Sequence, residues 1–334
     1  MYLVLNLGLK SIRGIIYNSS GKKVDMKSFI IKTYINNNFI EQDANEYVSK
    51  LNKILFHFKK KRITYKIKSV SITSSANCLL GLTKKYKPIT KVFTVLDFRA
   101  NEILIDNKSK NAKYLDPSHN LSKIIWLKKN KIKIFKNCKY WVNNSDYLCY
   151  YLTRKLVTDN LNYDKFLYKN SKITKKILGS HNISKISLPE KKNIGDSINL
   201  NKSSIARFGF NKQCKFIITT YDAICACLGS VNSKNIYHNA AEVSGTVTSI
   251  RILSKTKPKR PGSLKISYIP LIDRYLIGLS NNLGGGIIEW YKNFFITKNY
   301  YKDLKKSYFR GKNYFYFFPF IFGDRDLGFH QTSR

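Results

Sequence analysis

The sequence is poor in acidic residues. Only 20 Asp and Glu residues stand against 60 Lys and Arg residues among 334, a formal net charge of +40 at pH 7. This balance excludes an acidic disordered chain and argues against a protein that must avoid polyanions. One explanation is attraction to nucleic acid, anionic lipid or a phosphorylated ligand. The other is an AT-rich coding composition, with abundant Lys, Asn and Ile and only 17 Gly and 7 Pro. Because the lysines are spread along the whole chain, we favour composition.

Long apolar runs and paired cysteines are also missing. The longest apolar run, at 314–322, falls far short of the ~18 residues needed to cross a bilayer. The first residues carry no basic stretch ahead of their apolar run and no small-residue cleavage site, so we expect no signal peptide. The 6 cysteines form no C-x-x-C pair, and the 5 histidines supply no metal-ligand spacing. We therefore expect a protein of the reduced cytoplasm, with Cys225 and Cys227 as small buried helix residues.

The length allows about two domains of ~150 residues each, and the first part of the chain alternates strands with a helix. Three strands are predicted, at residues 2–8, 14–18 and 28–33. Asp43 stands three residues before Glu46, which is typical of a capping box, and apolar residues at helical spacing follow to about Lys60. Residues 67–73 are the next predicted strand. This order indicates an α/β domain.

The middle of the chain is more helical, and a polar stretch at 230–238 marks the predicted domain boundary. Helices are predicted at 121–127 and 145–152, and a buried strand at 216–219 runs into Asp222 and a short apolar helix. Beyond the boundary we predict strands around 240–252 and at 275–279, and a glycine-rich helix start at 284–286.

Two strand-to-turn segments could bind phosphate. They are residues 6–13 (NLGLKSIR) and 243–248 (VSGTVT). Glycine lets the backbone approach a ligand or take a positive φ, and backbone N–H and hydroxyl groups can surround phosphate oxygens. Lys10 and Arg13 add positive charge. Taken alone, each segment is more typical of an ordinary hairpin.

Asp222 is a third candidate, because a carboxylate at the carboxyl end of a buried strand stands where α/β sheets bind ligands. An Asp at this position also has a purely structural interpretation, as the N-cap of the helix that follows it. The residue type alone does not separate the two.

Eight segments in order carry a resemblance to a known family. They are the opening hairpin at 5–24, FIEQDANEYV at 39–48, Val95–Ala100 (VLDFRA), Lys123–Leu127 (KIIWL), the run SDYL…LT…VTD within 145–159, Asp222 with Gly229, Ser244-Gly245-Thr246, and Pro319–Arg325 (PFIFGDR). Together they resemble the FGGY carbohydrate kinases almost end to end. Val95 replaces the Trp of the family's Trp-x-Asp-x-Arg-Ala segment, and Arg154 replaces a common turn glycine.

The resemblance implies an α/β fold with a ribonuclease H-like, actin-like ATPase domain at residues 1–232. A partial second domain of the same type follows at 233–334, without the adenine-binding portion. The expected reaction transfers the γ-phosphoryl group of ATP, with Mg²⁺, to a hydroxyl of a sugar or polyol, a ketopentose-like sugar above all, in a cleft between the two domains. Asp222 takes the place of the general base. The residues implied to bind nucleotide and phosphate are Gly8, Lys10, Ser11, Arg13, Gly245, Thr246, Gly285 and Glu289.

Departures from the family pattern fall in the implied site. Asn6 stands where the family has an Asp that helps hold Mg²⁺, so metal binding is expected to be weakened. Leu9 and Lys10 replace a pair of threonines. Ser75-Ala76-Asn77 replaces the Gln-Met-His of many relatives, and we assign Ser75 and Asn77, with Asp222, to substrate binding. Because the chain stops at Arg334 before the family's long helical portion, we expect it to be truncated.

Three functions stay open at this stage. The first is an ATP-dependent sugar kinase, completed by a homodimer mate or a complementing chain. The second is a catalytically impaired kinase-like protein that binds sugar or nucleotide or acts as an assembly partner, which Asn6 and Leu9 favour. The third, a nucleic-acid-binding module, depends on the net charge alone and predicts a clustered basic face. We expect a small sugar or polyol and ATP as partners, and neither a membrane nor nucleic acid.

Overall fold

The computed structural model describes residues 1–106, 115–167, 171–230, 240–244, 248–260, 262, 264–281 and 284–295. The chain divides into two compact units, Met1–Cys225 and Ala226–Arg334. The helices are α1 (Ala44–Lys60), α2 (Asn101–Asp106), α3 (Asn120–Asn130), α4 (Ile132–Asn137), α5 (Asn144–Thr153), α6 (Asn160–Tyr163), α7 (Ser171–Ser180), α8 (Lys202–Phe208), α9 (Asp222–Ser230) and α10 (Gly286–Phe295). Among the residues described, no helix is both long and apolar enough to cross a membrane.

The strands of the described residues form four sheets. In chain order they are β1 (Tyr2–Leu7), β2 (Ser11–Tyr17), β3 (Lys23–Ile30), β4 (Thr33–Asn36), β5 (Phe39–Gln42), β6 (Ser69–Ser74), β7 (Leu79–Leu82), β8 (Val92–Phe93), β9 (Tyr140–Asn143), β10 (Val157–Asp159), β11 (Glu190–Lys192), β12 (Ser197–Asn199), β13 (Lys215–Ile217), β14 (Ala240–Ser244), β15 (Thr248–Ser254), β16 (Lys265–Ile269) and β17 (Arg274–Asn281).

The main sheet of the first unit has six strands in the order β12-β13-β6-β1-β2-β3. The strands β1, β2 and β3 are an antiparallel meander, whereas β1, β6 and β13 pair in parallel. Parallel neighbours need a crossover connection, and helices supply it here. A five-stranded sheet, β4-β5-β8-β7-β9, and the parallel pair β10-β11 complete the strands described in this unit. The α/β prediction is confirmed.

The second unit, in its described part, contains a four-stranded sheet in the order β14-β15-β17-β16. All of its pairings are antiparallel. The helix α10 follows the last strand. The strands predicted around 240–252 and at 275–279 and the helix start near 286 are confirmed, while β16 was not predicted.

Helix α1 packs its predicted apolar face into the core of the main sheet. The buried residues are Ala44, Tyr47, Leu51, Ile54, Leu55 and Phe58. Asp43 is the N-cap, and its side chain accepts a hydrogen bond from the backbone N–H of Asn45 at 2.8 Å. The predicted capping box is nevertheless wrong, because the Glu46 carboxylate accepts from the backbone N–H of Lys32 at 3.2 Å. A capping box occurs instead at α5, between Asn143 and Asp146.

The predicted strand at 28–33 is confirmed only in part, because it spans the end of one strand and the start of the next. Strand β3 ends at Ile30 and β4 begins at Thr33. Between them the backbone N–H of Ile31 donates to the carbonyl of Lys10 at 3.0 Å, and the Ile31 side chain is buried. Residues 28–33 therefore belong to two different sheets, which the pattern of residue types does not reveal.

Gly14 on β2 packs tightly against α1. A Cβ atom at Gly14 would lie 2.4 Å from Ile54 Cγ2 and 3.0 Å from Phe58 Cε2. Both neighbours are fully buried, so neither can move away cheaply. Only glycine fits at this contact.

We expect Gly14→Ala to lower the free energy of unfolding by about 1–3 kcal/mol, because overpacking a close-packed core forces side chains and backbone to shift. Urea unfolding followed by circular dichroism measures the change. Gly179→Ala is the matched control, since a Cβ at this α7 position meets no atom within 4 Å. Equal unfolding midpoints for Gly14→Ala and the unmodified protein would contradict the packing argument.

Candidate functional site

Three parallel strands of the first unit end at the same edge of the main sheet. The register pairs Leu7 with Ser74 and Ser71 with Ile217. Side-chain bonds extend the alignment past the strand ends, since Thr73 Oγ1 donates to the carbonyl of Thr220 at 2.8 Å. The segments that follow β1, β6 and β13 therefore meet at one edge, the edge at which α/β sheets bind ligands.

Asp222 stands at this edge as the first residue of α9. Its Oδ1 atom accepts a hydrogen bond from the backbone N–H of Ala223 at 2.7 Å. Its Oδ2 atom accepts one from the hydroxyl of Ser75 at 3.1 Å. Asp222 thus bonds to the helix start and also contacts a predicted substrate residue 147 positions away in the sequence. The structure is therefore compatible with both interpretations of Asp222, as a ligand-binding carboxylate and as a residue that caps the start of the helix.

Asn6, Arg13 and Thr73 form a row across three neighbouring strands. The register pairs Asn6 with Arg13 on β2 and with Thr73 on β6. Paired residues point to the same face of a sheet, and this face is opposite to that of Leu5 and Leu7, which are buried. Asn6 is half-buried and Arg13 is exposed. A neutral amide oxygen and a cation are therefore presented side by side.

The turn between β1 and β2 is held by one backbone hydrogen bond within it and by one side-chain hydrogen bond from outside. The N–H of Gly8 donates to the carbonyl of Ser11 at 3.0 Å, and the carbonyl of Leu9 accepts from Gln42 Nε2 at 2.6 Å. The Lys10 side chain is exposed, and Ser11 is half-buried. Gln42, from the FIEQ segment, was not predicted to contact the turn, because nothing in its spacing indicates this.

Gly8 differs from expectation, since its φ is not positive. A Cβ atom there would lie 3.6 Å from Asn6 Oδ1 and 3.7 Å from the carbonyl oxygen of Ser11, which are ordinary van der Waals distances. No described neighbour requires a glycine at this position. Because Gly8 has no Cβ atom, it leaves space next to the Asn6 amide, which a ligand needs in order to approach the backbone closely.

The segment Ser75-Ala76-Asn77 lies between β6 and β7, beside Asp222. Ser75 is buried, and its backbone N–H donates to the carbonyl of Leu7 at 3.3 Å. Asn77 has a left-handed backbone, with φ 57°. Its Oδ1 atom is buried and has no hydrogen-bond partner among the described residues. An unpaired buried acceptor is costly in a folded chain, and a hydroxyl group of a ligand would satisfy it.

The predicted site residues of the second unit are only partly described. Gly245, Thr246 and Pro319–Arg325 lie outside the described residues, as does the side chain of Glu289, whereas Gly285 is exposed just before α10. On either side of residues 245–247, the hydroxyl groups of Ser244 and Thr248 form a hydrogen bond of 2.9 Å. The roles of these residues stay predictions.

The donor set of the first unit suits a magnesium ion brought by a nucleotide. Within the described ranges, no group of three or more His, Cys, Asp or Glu side chains can hold a metal. Mg²⁺ does not require such a cage, because it binds through one or two protein oxygens, substrate phosphates and water. Asn6 and Asp222 place hard oxygen donors at the same edge of the sheet, so the residues present fit this ion.

The cysteines do not supply a nucleophile. All six thiols are free, and burial raises the pKa of Cys78 to about 11 and that of Cys138 to about 12. Burial also raises the pKa of Cys149, Cys214, Cys225 and Cys227. Because only the thiolate reacts, covalent thiol catalysis is not supported by this site.

Comparisons with known proteins agree with the resemblance found in the sequence. Residues 1–229 match the sequence profile of the FGGY family of carbohydrate kinases, N-terminal domain. A search of curated proteins gave no significant match.

Solved structures share the fold. A ligand-bound xylulose kinase from Lactobacillus acidophilus aligns with a TM-score of 0.75 and 23% identity, over 87% of this chain and 62% of that one. A gluconate kinase from the same organism gives 0.75 and 23%, over 87% and 61%. Plasmodium falciparum glycerol kinase with ADP gives 0.74 and 18%, over 90% and 65%. The chain thus spans less than two thirds of the length of each. The predicted actin-like ATPase fold is confirmed.

We expect the native protein to react slowly with iodoacetamide at pH 7.5, because raised pKa values leave very little thiolate at that pH. Intact-protein mass spectrometry follows the reaction. In denaturant all six cysteines should be alkylated, which is the internal control. Rapid alkylation of a native thiol at the rate of a free peptide cysteine would contradict the burial described here.

Proposed function

The chain belongs to the FGGY family of carbohydrate kinases, and from this premise we propose that it transfers the γ-phosphoryl group of ATP to a hydroxyl group of a sugar or polyol. One observation carries the proposal: Asp222, at the carboxyl edge of the sheet, is hydrogen-bonded at 3.1 Å to Ser75 of a second segment that ends there. The carboxylate is thereby oriented, and Asp222 stays partly exposed.

Asp222 acts as the general base. The substrate hydroxyl gives its proton to the Asp222 carboxylate, its oxygen forms the new bond to the γ-phosphorus, and the bond to the β-phosphate oxygen breaks to release ADP. Phosphoryl transfer depends on positioning and charge neutralisation more than on covalent chemistry. The Ser75 hydroxyl supports this role because its hydrogen bond to one carboxylate oxygen of Asp222 fixes the orientation of the carboxylate.

Arg13 and Lys10 bind the nucleotide phosphates, with Gly8 and Ser11 completing the turn around them. Both cationic side chains are exposed on the hairpin that borders Asn6. Asn6 and Asp222 would hold Mg²⁺ through oxygen atoms, and the ion neutralises phosphate charge when bound. Gly245, Thr246, Gly285 and Glu289 are assigned to the nucleotide by the resemblance alone.

The substrate is proposed to be a ketopentose-like sugar. Ser75 and Asn77 flank the general base from the segment that replaces the family's usual Gln-Met-His, and the buried, unpaired Oδ1 atom of Asn77 can accept a hydrogen bond from a sugar hydroxyl.

We also propose that the chain consists of two domains, residues 1–232 and residues 233–334. The end of the family match at 229 supports a boundary in this region.

A second function is favoured by Asn6 and Leu9. The side chain of Asn6 is neutral where the family has a carboxylate, and Leu9 cannot donate a side-chain hydrogen bond to phosphate. A catalytically impaired kinase-like protein that binds sugar or nucleotide, or assists an assembly, would tolerate both changes. The two proposals differ in one measurable quantity, sugar-dependent release of ADP.

We expect Asp222→Asn to lower sugar-dependent ADP release by about 10²–10⁴-fold, because the amide cannot accept the hydroxyl proton. ADP is measured with Mg·ATP and a panel of ketopentoses, ketohexoses and polyols, and ATP binding is followed by calorimetry. Asp43→Asn is the matched control, since it changes another helix-capping carboxylate to a residue that caps equally well.

The outcomes separate the two functions. If the unmodified protein binds ATP but releases no ADP with any sugar, the kinase proposal is wrong and the impaired protein is favoured. If calorimetry detects neither ATP nor sugar binding, the kinase proposal is wrong, and only the assembly role of the second function remains. Equal activity of Asp222→Asn and the unmodified protein would remove Asp222 from the mechanism.

We expect Asn6→Asp to lower the Mg²⁺ concentration required for half-maximal activity, because a carboxylate binds this ion more strongly than an amide oxygen. A Mg²⁺ titration of ADP release at saturating ATP measures the shift. Asn45→Asp adds the same charge at an exposed position of α1 and should leave the titration unchanged. Identical titrations for all three proteins would place the metal elsewhere.

A further inference from the structure

Lys123 is a cation inside the first unit of the protein. It lies on α3 and is fully buried. Its ammonium group donates hydrogen bonds to two main-chain carbonyl groups, that of Asn77 at 2.9 Å and that of Thr94 at 2.6 Å. A buried charge whose direct bonds go to neutral carbonyls is expensive, and burial lowers the pKa of Lys123 to about 8 despite the nearby Asp97 carboxylate. An apolar residue would fill the same volume at a lower cost in folding free energy. The ammonium group is therefore expected to hold another part of the chain in place.

One of its two partners belongs to the segment that contacts Asp222. Asn77 has a positive φ of 57°, a backbone conformation that a residue other than glycine adopts at a cost. The bond from Lys123 fixes the carbonyl group of this strained residue. Two positions earlier, the Ser75 hydroxyl donates to Asp222 Oδ2 at 3.1 Å. A continuous set of contacts therefore joins Lys123 to Asp222 through residues 75–77.

The second partner connects this segment to another part of the unit. Thr94 follows β8, and its own backbone N–H donates to the carbonyl of Ile40 at 3.1 Å. The Lys123 ammonium thus joins the segment after β6 to the segment after β8, next to the point where Leu79 of β7 pairs with Phe93 of β8. Without the ammonium, two buried carbonyl groups lose this partner.

We propose that Lys123 is a positioning residue: by binding the carbonyl of Asn77 it holds the segment 75–77, and through Ser75 it sets the orientation of the Asp222 carboxylate. The catalytic consequence of this proposal rests on the proposed function. The fixing of residues 75–77 by Lys123 depends on the geometry alone. Lys123 itself touches no reacting atom in this scheme.

The same helix provides a matched control. Lys128 lies five residues further along α3, and its ammonium group also donates to two main-chain carbonyl groups, those of His181 at 2.6 Å and of Asn182. These carbonyls follow α7 and belong to no candidate site. Replacing Lys128 removes the same kind of contact from the same helix, so a general loss of packing or of charge affects both variants.

The first test needs no activity. Hydrogen exchange measured by mass spectrometry compares Lys123→Met and Lys128→Met, both in the full chain. We expect the peptide covering residues 74–79 to exchange at least several-fold faster in Lys123→Met only, and the peptide covering 180–184 to do so in Lys128→Met only. If Lys123→Met does not fold, Lys123→Gln, which retains a shorter donor, takes its place. Unchanged exchange at 74–79 would overturn the proposal.

The second test is a double-mutant cycle on kcat. We expect Lys123→Met to lower kcat about 10–100-fold with little change in the KM for ATP, since small misplacements of a reacting group are costly. In a Ser75→Ala background the same substitution should lower kcat less than threefold, because residues acting through one contact are not additive. Lys128→Met should leave kcat unchanged in both backgrounds.

The two proposals fail in different ways. If the unmodified protein releases no ADP with any sugar, the kinase function is wrong while the exchange experiment still decides whether Lys123 holds the segment 75–77. If the protein is active but Lys123→Met and Lys128→Met lower kcat equally, or the effects of Lys123→Met and Ser75→Ala add, the positioning role is wrong and the kinase function stands.

Discussion

The parallel pairing of β1, β6 and β13 is the constraint on which the candidate site depends. Parallel strands end at the same edge, so residues that follow them, separated by up to about 200 positions, are brought together without any direct attraction between them. Bonds beyond the strand ends complete the alignment, as where Thr73 donates to the carbonyl of Thr220. The hydrogen bond between Ser75 and Asp222 is possible because the sheet brings the segments after β6 and β13 to the same edge.

Among the described residues, the segments of the first unit that carry the family resemblance divide into two groups. One group, with Gly8, Arg13 and Asp222, lies at the carboxyl edge. The other supports the frame: Asp97 accepts two hydrogen bonds from the Arg99 guanidinium and one from the backbone N–H of Ile40. Despite burial, which lowers it, the pKa of Arg99 stays above its ordinary value, because the guanidinium donates hydrogen bonds to the Asp97 carboxylate and is attracted by its negative charge. Motif residues in this second group keep segments in place and need not touch a ligand.

Predictions from local residue patterns were correct where one face of a helix or strand packs against a single hydrophobic core. The apolar spacing of α1 predicted its length and its buried side, and the strand that leads to Asp222 was also found. Short strands such as β7 and β9 were missed, because four residues are too few to show a period. The role of Gln42 in holding the turn at Leu9 could not be predicted either, since it depends on a contact across 33 residues.

The sequence by itself determined the family, the α/β character and most of the residues that gather at the edge of the first sheet, because motif order and local periodicity are properties of the chain. Only the tertiary structure decided which of these residues touch. It joined Ser75 to Asp222, set Asn6 beside Arg13 and Thr73, and buried Lys123 against the carbonyl of Asn77. Such contacts follow from strand register and from the satisfaction of buried polar groups, which no local pattern encodes.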